Sequence, residues 1–126
     1  NTIDMFGAKK TIQKQVMKIT TDSKELDEPK EWNDCNIYNL CKLFMNESEL
    51  EVLQKRYETP GEGYGHFKLT LLKKINDYFE PFAQKREYYN NNPEVVKEIL
   101  KKGALKASTI AKAKLKVIRD AVGLNY

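Results

Sequence analysis

HFKLTLLKKINDYFEPFAQKREYYNN (residues 66–91) is the stretch that decides the fold. Phe67, Leu71, Ile75, Tyr78, Phe79 and Phe82 recur at steps of three and four, the spacing that lines up side chains on one face of an α-helix. The run is too long for a strand and shows no two-residue alternation. Pro81 lies inside it. A proline removes one backbone donor and disfavours helical geometry at the residue before it, so a kink is expected near Glu80.

Immediately upstream stands TPGEGYG (59–65), with one proline and three glycines in seven residues, a stretch that cannot continue a helix. Its local chemistry points to a turn that needs positive φ rather than a phosphate loop. It lacks the Lys-Ser/Thr pair of a P-loop and follows no strand, although free amides at a helix start can hold a phosphate. The charge also changes sign here. Residues 1–63 hold 9 Lys/Arg against 12 Asp/Glu, and residues 64–126 hold 13 against 6, so a net +4 conceals an acidic half (−3) joined to a basic half (+7).

The acidic half reads as three short helices. Ile12, Val16 and Ile19 form one stripe over residues 8–19. The acidic, aperiodic segment TTDSKELDEPKEWND, with Pro29, is a loop. Asp34 is placed to cap a helix over 35–45 that turns Ile37, Leu40, Cys41 and Phe44 inward. Ser48 and Glu51 fit a capping box for a helix over 49–58 with Leu50, Leu53 and Tyr57 inward. In the basic half, Asn92-Pro93 reads as a cap followed by proline at the first helical position, with Val96, Ile99 and Leu100 as the apolar face. Gly103-Ala104 is either a tight turn or a close-packing site. Helical steps then continue through Ala107, Ile110, Ile118 and Val122 to Gly123, a C-cap. The fold class is all-α, a bundle of about five or six helices.

With 126 residues, 40% apolar and 32% charged, the chain has the size and composition of one globular domain. The sequence begins with Asn1, as expected of a chain processed or cut from a longer one. No apolar run approaches the roughly 18–20 residues that span a bilayer. Cys35 and Cys41 lie six apart, on different faces of a helix, and read as free thiols of a reducing compartment packed as small apolar groups. His66 is the only histidine. A zinc site would need carboxylates to complete it, and no nucleophile stands at a meaningful spacing from His66, so no metal site and no catalytic residue is expected.

The basic segment says more. From Lys97 to Arg119 there are eight cations against Glu98 alone. Lys97/Lys101 and Lys102/Lys106 are four apart and repel one another by a few tenths of a kcal/mol, about 0.2–0.5, on an isolated helix. A solvated lysine-rich surface accounts for this, and so does a face kept for a polyanion. Tyr64, Phe67, Tyr78, Tyr88 and Tyr89 accompany it, and unstacked RNA bases are held on such rings beside lysines. Phe67 and Tyr78 fall on the core stripe, whereas Tyr64, in the glycine loop, is less committed. Membrane-surface binding is disfavoured, because Gly, Ala and Ile over 103–111 are too small to insert well.

Several stretches then combine in a recognisable order. NTIDMF followed by KKTIQKQVMKITTDS resembles the segment directly after the KMSKS loop of bacterial-type tryptophanyl-tRNA synthetases. DEPKEWNDCNIYNLCKLF carries that family's Asp-Pro and Cys-Asn pattern, and GYGHFK its Tyr-Gly…Lys element. EPFAQKREYY, NPEVVKEILKKGALKASTIA and KVIRDAVGL are similar to its C-terminal helices. The resemblance covers essentially the whole chain. It implies the C-terminal helical domain of a cytoplasmic class I aminoacyl-tRNA synthetase, whose parent activates tryptophan with ATP and Mg, charges tRNA(Trp) and forms a homodimer. The Rossmann half and the KMSKS signature are not in these residues, so the fragment is expected to be inactive alone. The resemblance further implies that residues 1–22 link to the catalytic domain and that residues 23–126 bind the tRNA anticodon region. The expected contacts are Tyr64, His66, Lys68, Arg86, Lys102 and Lys106. Ile3, Met5 and Phe6 are expected to be exposed or rearranged without the catalytic domain. The alternative function is a non-catalytic helical module that binds protein or generic polyanion.

Overall fold

The computed structural model describes residues 2–124, and among them there are five helices and no strand. These are α1 (Lys9–Met17), α2 (Asn36–Cys41), α3 (Glu47–Glu58), α4 (Tyr64–Asn91) and α5 (Pro93–Val122). The chain divides into two compact units, Asn1–Ala83 and Gln84–Tyr126. The division falls within α4, two residues beyond Pro81, through which the helix continues.

Element starts follow the local donors. The capping box of α3 forms at Asn46 and Glu49, two residues before the expected Ser48 and Glu51. Asn46 Oδ1 accepts from Glu49 N at 3.0 Å, and Glu49 Oε2 accepts from Asn46 N at 3.2 Å. Asparagine is among the strongest N-caps and offers the same spacing to the glutamate. Ser48 instead donates its hydroxyl to Asn46 Oδ1 at 2.7 Å. Asp34 does not cap α2. Cys35 holds the N-cap position without a side-chain capping bond, its thiol lying 3.4 Å from the Tyr57 hydroxyl, and its N–H closes a turn on Trp32 O. The helix also ends at Cys41, short of the expected 45, because residues 42–45 turn tightly into the Asn46 cap.

The first unit has one core: Ile12 and Val16 of α1, Ile37, Tyr38 and Cys41 of α2, Leu53 and Tyr57 of α3, and Phe67, Leu71 and Ile75 of α4. Thus α1, expected as part of a linking segment, contributes two side chains to this core. Ile3 and Met5 also pack against it, while Phe6 remains 43% exposed. Tyr57 and Phe67 stack at 3.9 Å between centroids, and Tyr38 meets Tyr57 edge-on at 6.0 Å. Stacked aromatic pairs add about 0.5–1.5 kcal/mol to the area they bury. The α4 stripe is buried at Phe67, Leu71 and Ile75 and then rises to the surface. Tyr78 and Phe82, expected in the core, are 54% and 47% exposed.

The second unit holds the end of α4 and the whole of α5. Asn92 occupies the N-cap and Pro93 the first turn, but the Asn92 amide donates back to Tyr88 O at 2.7 Å rather than capping α5. No described residue of α5 is buried, and Ile99 and Leu100 of the expected apolar face are exposed. Gly103 is neither a turn nor a packing site: α5 runs through it, and a Cβ there would meet nothing within 4 Å. At the far end Gly123 takes φ +75, with Gly123 N donating to Asp120 O and Leu124 N to Arg119 O, a Schellman closure.

Two substitutions probe these features. Phe67→Ala removes the ring stacked on Tyr57 and is expected to cost about 3–5 kcal/mol in denaturant unfolding. Gly103→Ala is expected to raise stability by about 0.5–1 kcal/mol, read as an upward shift in melting temperature, because the helix loses an entropic weakness and gains no clash.

Candidate nucleic-acid interface

The first-unit candidates gather where the acidic loop meets the start of α4. Lys30 is the buried cation of this region, only 4% exposed. Its ammonium donates to Glu25 O at 3.0 Å and Glu28 O at 3.1 Å and lies 5.7 Å from the centre of the Tyr64 ring. Its backbone N–H donates to Tyr57 O at 2.7 Å, while Gly61 N donates to Leu26 O at 2.7 Å. The loop thus takes up the backbone groups that the end of α3 leaves open. Gly61 adopts φ +103, the positive φ expected of the glycine run, and its bonded amide is not available to cradle a phosphate.

Tyr64, Gly65 and His66 belong to the first turn of α4, not to the glycine loop. Tyr64 is half-buried against Tyr57 and Phe67, at 6.4 and 6.3 Å between centroids. Burial pushes its hydroxyl above the ordinary tyrosine range, and the bond to Asp22 adds to this. The same bond holds the Asp22 carboxyl below its usual value. Tyr64 is therefore a packed, hydrogen-bonded ring. Lys68 donates its ammonium to Met17 O at 3.0 Å, which satisfies the last carbonyl of α1. His66 is exposed and lines a shallow groove with Val52, Lys55, Thr59 and Pro60.

Beneath that groove Arg56 grips Glu62 with two nitrogens, Nε at 2.9 Å from Oε2 and a second, shorter contact to Oε1. Arg56 also reaches Thr70 Oγ1 at 3.3 Å and lies 5.3 Å from the centre of the Phe67 ring. Bonding to Glu62 raises the Arg56 pKa, and bonding to Arg56 lowers that of Glu62. Sequence reasoning missed both this pair and Lys30. Arg56 and Glu62 lie on either side of a helix break, and no periodicity relates them.

The remaining candidates lie in the second unit. Arg86 is exposed on α4, and Lys102 and Lys106 are exposed one turn apart on α5. Lys97, Lys101, Lys112 and Arg119 are exposed along a neighbouring row of the same helix, and Lys97 pairs with Glu94 at 2.8 Å. The structure therefore groups Tyr64, His66 and Lys68 on one element and Lys102 and Lys106 on another. Cys35 and Cys41 are free thiols; Cys41 is buried, and burial pushes its thiol up to about 11. Among the described residues no cluster of His, Cys, Asp or Glu is placed to hold a metal, and no helix is long and apolar enough to cross a membrane.

No protein-family model matches the chain. Curated relatives do. A Campylobacter jejuni protein named tryptophan–tRNA ligase is 46% identical over 124 residues, which cover 98% of this chain and 39% of the relative. The Fusobacterium nucleatum protein of that name is 43% identical over 124 residues, covering 98% of this chain and 38% of the relative. The crystal structure of C. jejuni tryptophanyl-tRNA synthetase complexed with ADP and tryptophan superposes with a TM-score of 0.94 at 46% identity, across 98% of this chain and 39% of that one. The class is thereby defined: these helices match part of an aminoacyl-tRNA synthetase, a ligase. More closely, the chain matches the C-terminal region of bacterial tryptophan–tRNA ligases, and it spans about two fifths of their length.

The Arg56–Glu62 pair sets a pH dependence. Because the folded Glu62 pKa lies below its ordinary 4.5, the pair's stabilisation is fully present above that value and is lost as pH falls through the lower folded one. Glu62→Gln is expected to flatten this acid limb when unfolding free energy is measured between neutral pH and about pH 3, the window in which carboxylates of this kind titrate.

Proposed function

We propose that this chain is the C-terminal, tRNA-contacting part of a ligase that activates tryptophan with ATP and transfers it to tRNA(Trp). The observation that carries the reading is 46% identity sustained across 98% of the chain to proteins of that name. It is favoured over a non-catalytic protein- or polyanion-binding module. On this reading ATP and Mg are bound by the parent's catalytic half, which carries the chemistry of both steps. The parent works in the cytoplasm as a homodimer, and this part alone catalyses neither step.

Within it, the lysines of α5 neutralise backbone phosphates. Ammonium groups on exposed side chains bind as mobile point charges, so they position the RNA without reading its sequence. Lys102 and Lys106, with Arg86, supply this electrostatic contact. His66, open at the mouth of its groove, is placed to meet a base edge. Tyr64 and Lys68 act through the surface they build, Tyr64 by fixing the start of α4 and Lys68 by fixing α1 beside it.

Two measurements test the reading. The full-length protein is expected to support tryptophan-dependent ATP–pyrophosphate exchange, and a folded protein without exchange overturns the assignment. Lys102→Glu/Lys106→Glu is expected to weaken tRNA(Trp) binding. The slope of log affinity against log salt is expected to become shallower by about 0.7–0.9 for each phosphate no longer neutralised. An unchanged slope removes these residues from the interface, and equal affinity for an anticodon-swapped tRNA removes anticodon reading from this region.

A further inference from the structure

Two adjacent rings stand open at the end of α4, within the second unit. Tyr88 and Tyr89 are 54% and 42% exposed, with centroids 5.4 Å apart and planes at 70°. One residue ties down the corner that carries them. Asn92 Nδ2 donates to Tyr88 O at 2.7 Å, and Asn92 N donates to Tyr89 O at 3.3 Å. The carbonyls of both ring-bearing residues, left open by the helix end, are thus taken by the same asparagine. Val95 N then closes on Asn92 O at 3.1 Å, and Pro93 opens α5 with no intervening loop.

The nearest charged positions along the helix are cationic. Lys85 is exposed and lies one turn before both rings, three residues from Tyr88 and four from Tyr89, and Arg86 lies three from Tyr89. Glu87 stands at neither step from either ring. Residues 84–126 hold 10 Lys/Arg against 4 Asp/Glu. The other acids are Glu94, Glu98 and Asp120 on α5, and Glu94 is paired with Lys97 at 2.8 Å.

We propose that Tyr88 and Tyr89 form a stacking platform for one unpaired base of the bound RNA, with Lys85 on the adjoining phosphate. The proposal rests on the reading of this chain as the tRNA-contacting part of a ligase. It adds a contact with a base face to the backbone contacts assigned to the lysines of α5. At 70° the rings make a corner rather than a stack, so a flat base lying on one meets the other at its edge. Exposed rings set beside ammonium groups take unstacked bases in this way. Every base has a π-face, so the platform supplies affinity and leaves base identity to other residues. The charge selects this occupant over a protein. An apolar partner drying these rings would also strip water from the cations one turn away, and a cation buried without a partner is costly. A polyanion pairs with those cations instead.

Binding of tRNA(Trp) by variants of the full-length protein tests this. Tyr88→Ala/Tyr89→Ala is expected to weaken binding by about 5- to 150-fold, the equivalent of the roughly 1–3 kcal/mol that one stacked base carries. The slope of log affinity against log salt is expected to stay unchanged, because no charge is removed. Lys85→Ala is expected to make that slope shallower by about 0.7–0.9. Tyr88→Phe/Tyr89→Phe keeps both rings and is expected to bind as the unsubstituted protein does. Tyr89→Trp places a reporter on the platform, and tRNA is expected to quench its added fluorescence. Unchanged affinity in the alanine variant, an equal loss in the phenylalanine variant, or an unquenched tryptophan each overturns the platform. So does an alanine variant that loses subunit association rather than tRNA. Tryptophan-dependent ATP–pyrophosphate exchange separates the two readings. Absent exchange in the unsubstituted protein, with the ring-dependent tRNA binding retained, sinks the ligase assignment alone. Intact exchange with unchanged affinity in the alanine variant sinks the platform alone.

Discussion

The ammonium of Lys30, almost wholly removed from water, is the constraint around which the first unit is assembled. A buried charge without partners is expelled or neutralised. Here two loop carbonyls accept from it and the Tyr64 ring lies beside it. Its backbone N–H meanwhile takes the Tyr57 carbonyl, while Leu26 returns a carbonyl to Gly61. One loop residue therefore joins the end of α3 to the start of α4. The stack of Tyr57 on Phe67 forms directly beneath that junction.

Within each unit the exposed groups sort by type. Lysines concentrate on α5, and aromatic rings concentrate where α4 leaves the core. Polyanions and apolar protein surface demand opposite things of a side chain: mobile charge well hydrated in one case, rigid area ready to dry in the other. On separate stretches of helix, mobile charge and rigid apolar area stand apart.

The all-helical class, the long 66–91 helix and the core residues of α1 and α3 are legible from periodicity, because burial of one helix face writes itself into the spacing of apolar residues. The Schellman end at Gly123 is legible for a similar reason, since only glycine takes positive φ there without cost. Other features escape where two local rules compete. Asn46 and Ser48 both offer a cap to a glutamate three residues on, and sequence alone does not rank them. Gly103 reads as a break, yet a lone glycine costs a helix only about 1 kcal/mol against alanine. Tyr78 and Phe82 share the stripe of Ile75, and periodicity does not show where a helix outruns the core it packs on. Among the candidate contacts, the sequence singles out cations and rings by type, but the partners that engage Tyr64 and Lys68 come from residues 22 and 17, far along the chain.

That last separation bears on the order in which the chain can fold. Helix α1 has only 9 residues, below the roughly 12–15 at which an isolated helix becomes even marginal in water. Its ties to α4 are Met17 to Lys68, 51 residues on, and Lys9 to Glu80, with Phe6 just before it reaching Phe79. At about 5–20 residues per second of synthesis, the first of these partners follows α1 out of the ribosome by about 3–10 s. Through that interval Ile12 and Val16 can meet the core side chains of α2 and α3 but lack those of α4. Helix α1 is thus secured in full only when α4 has arrived.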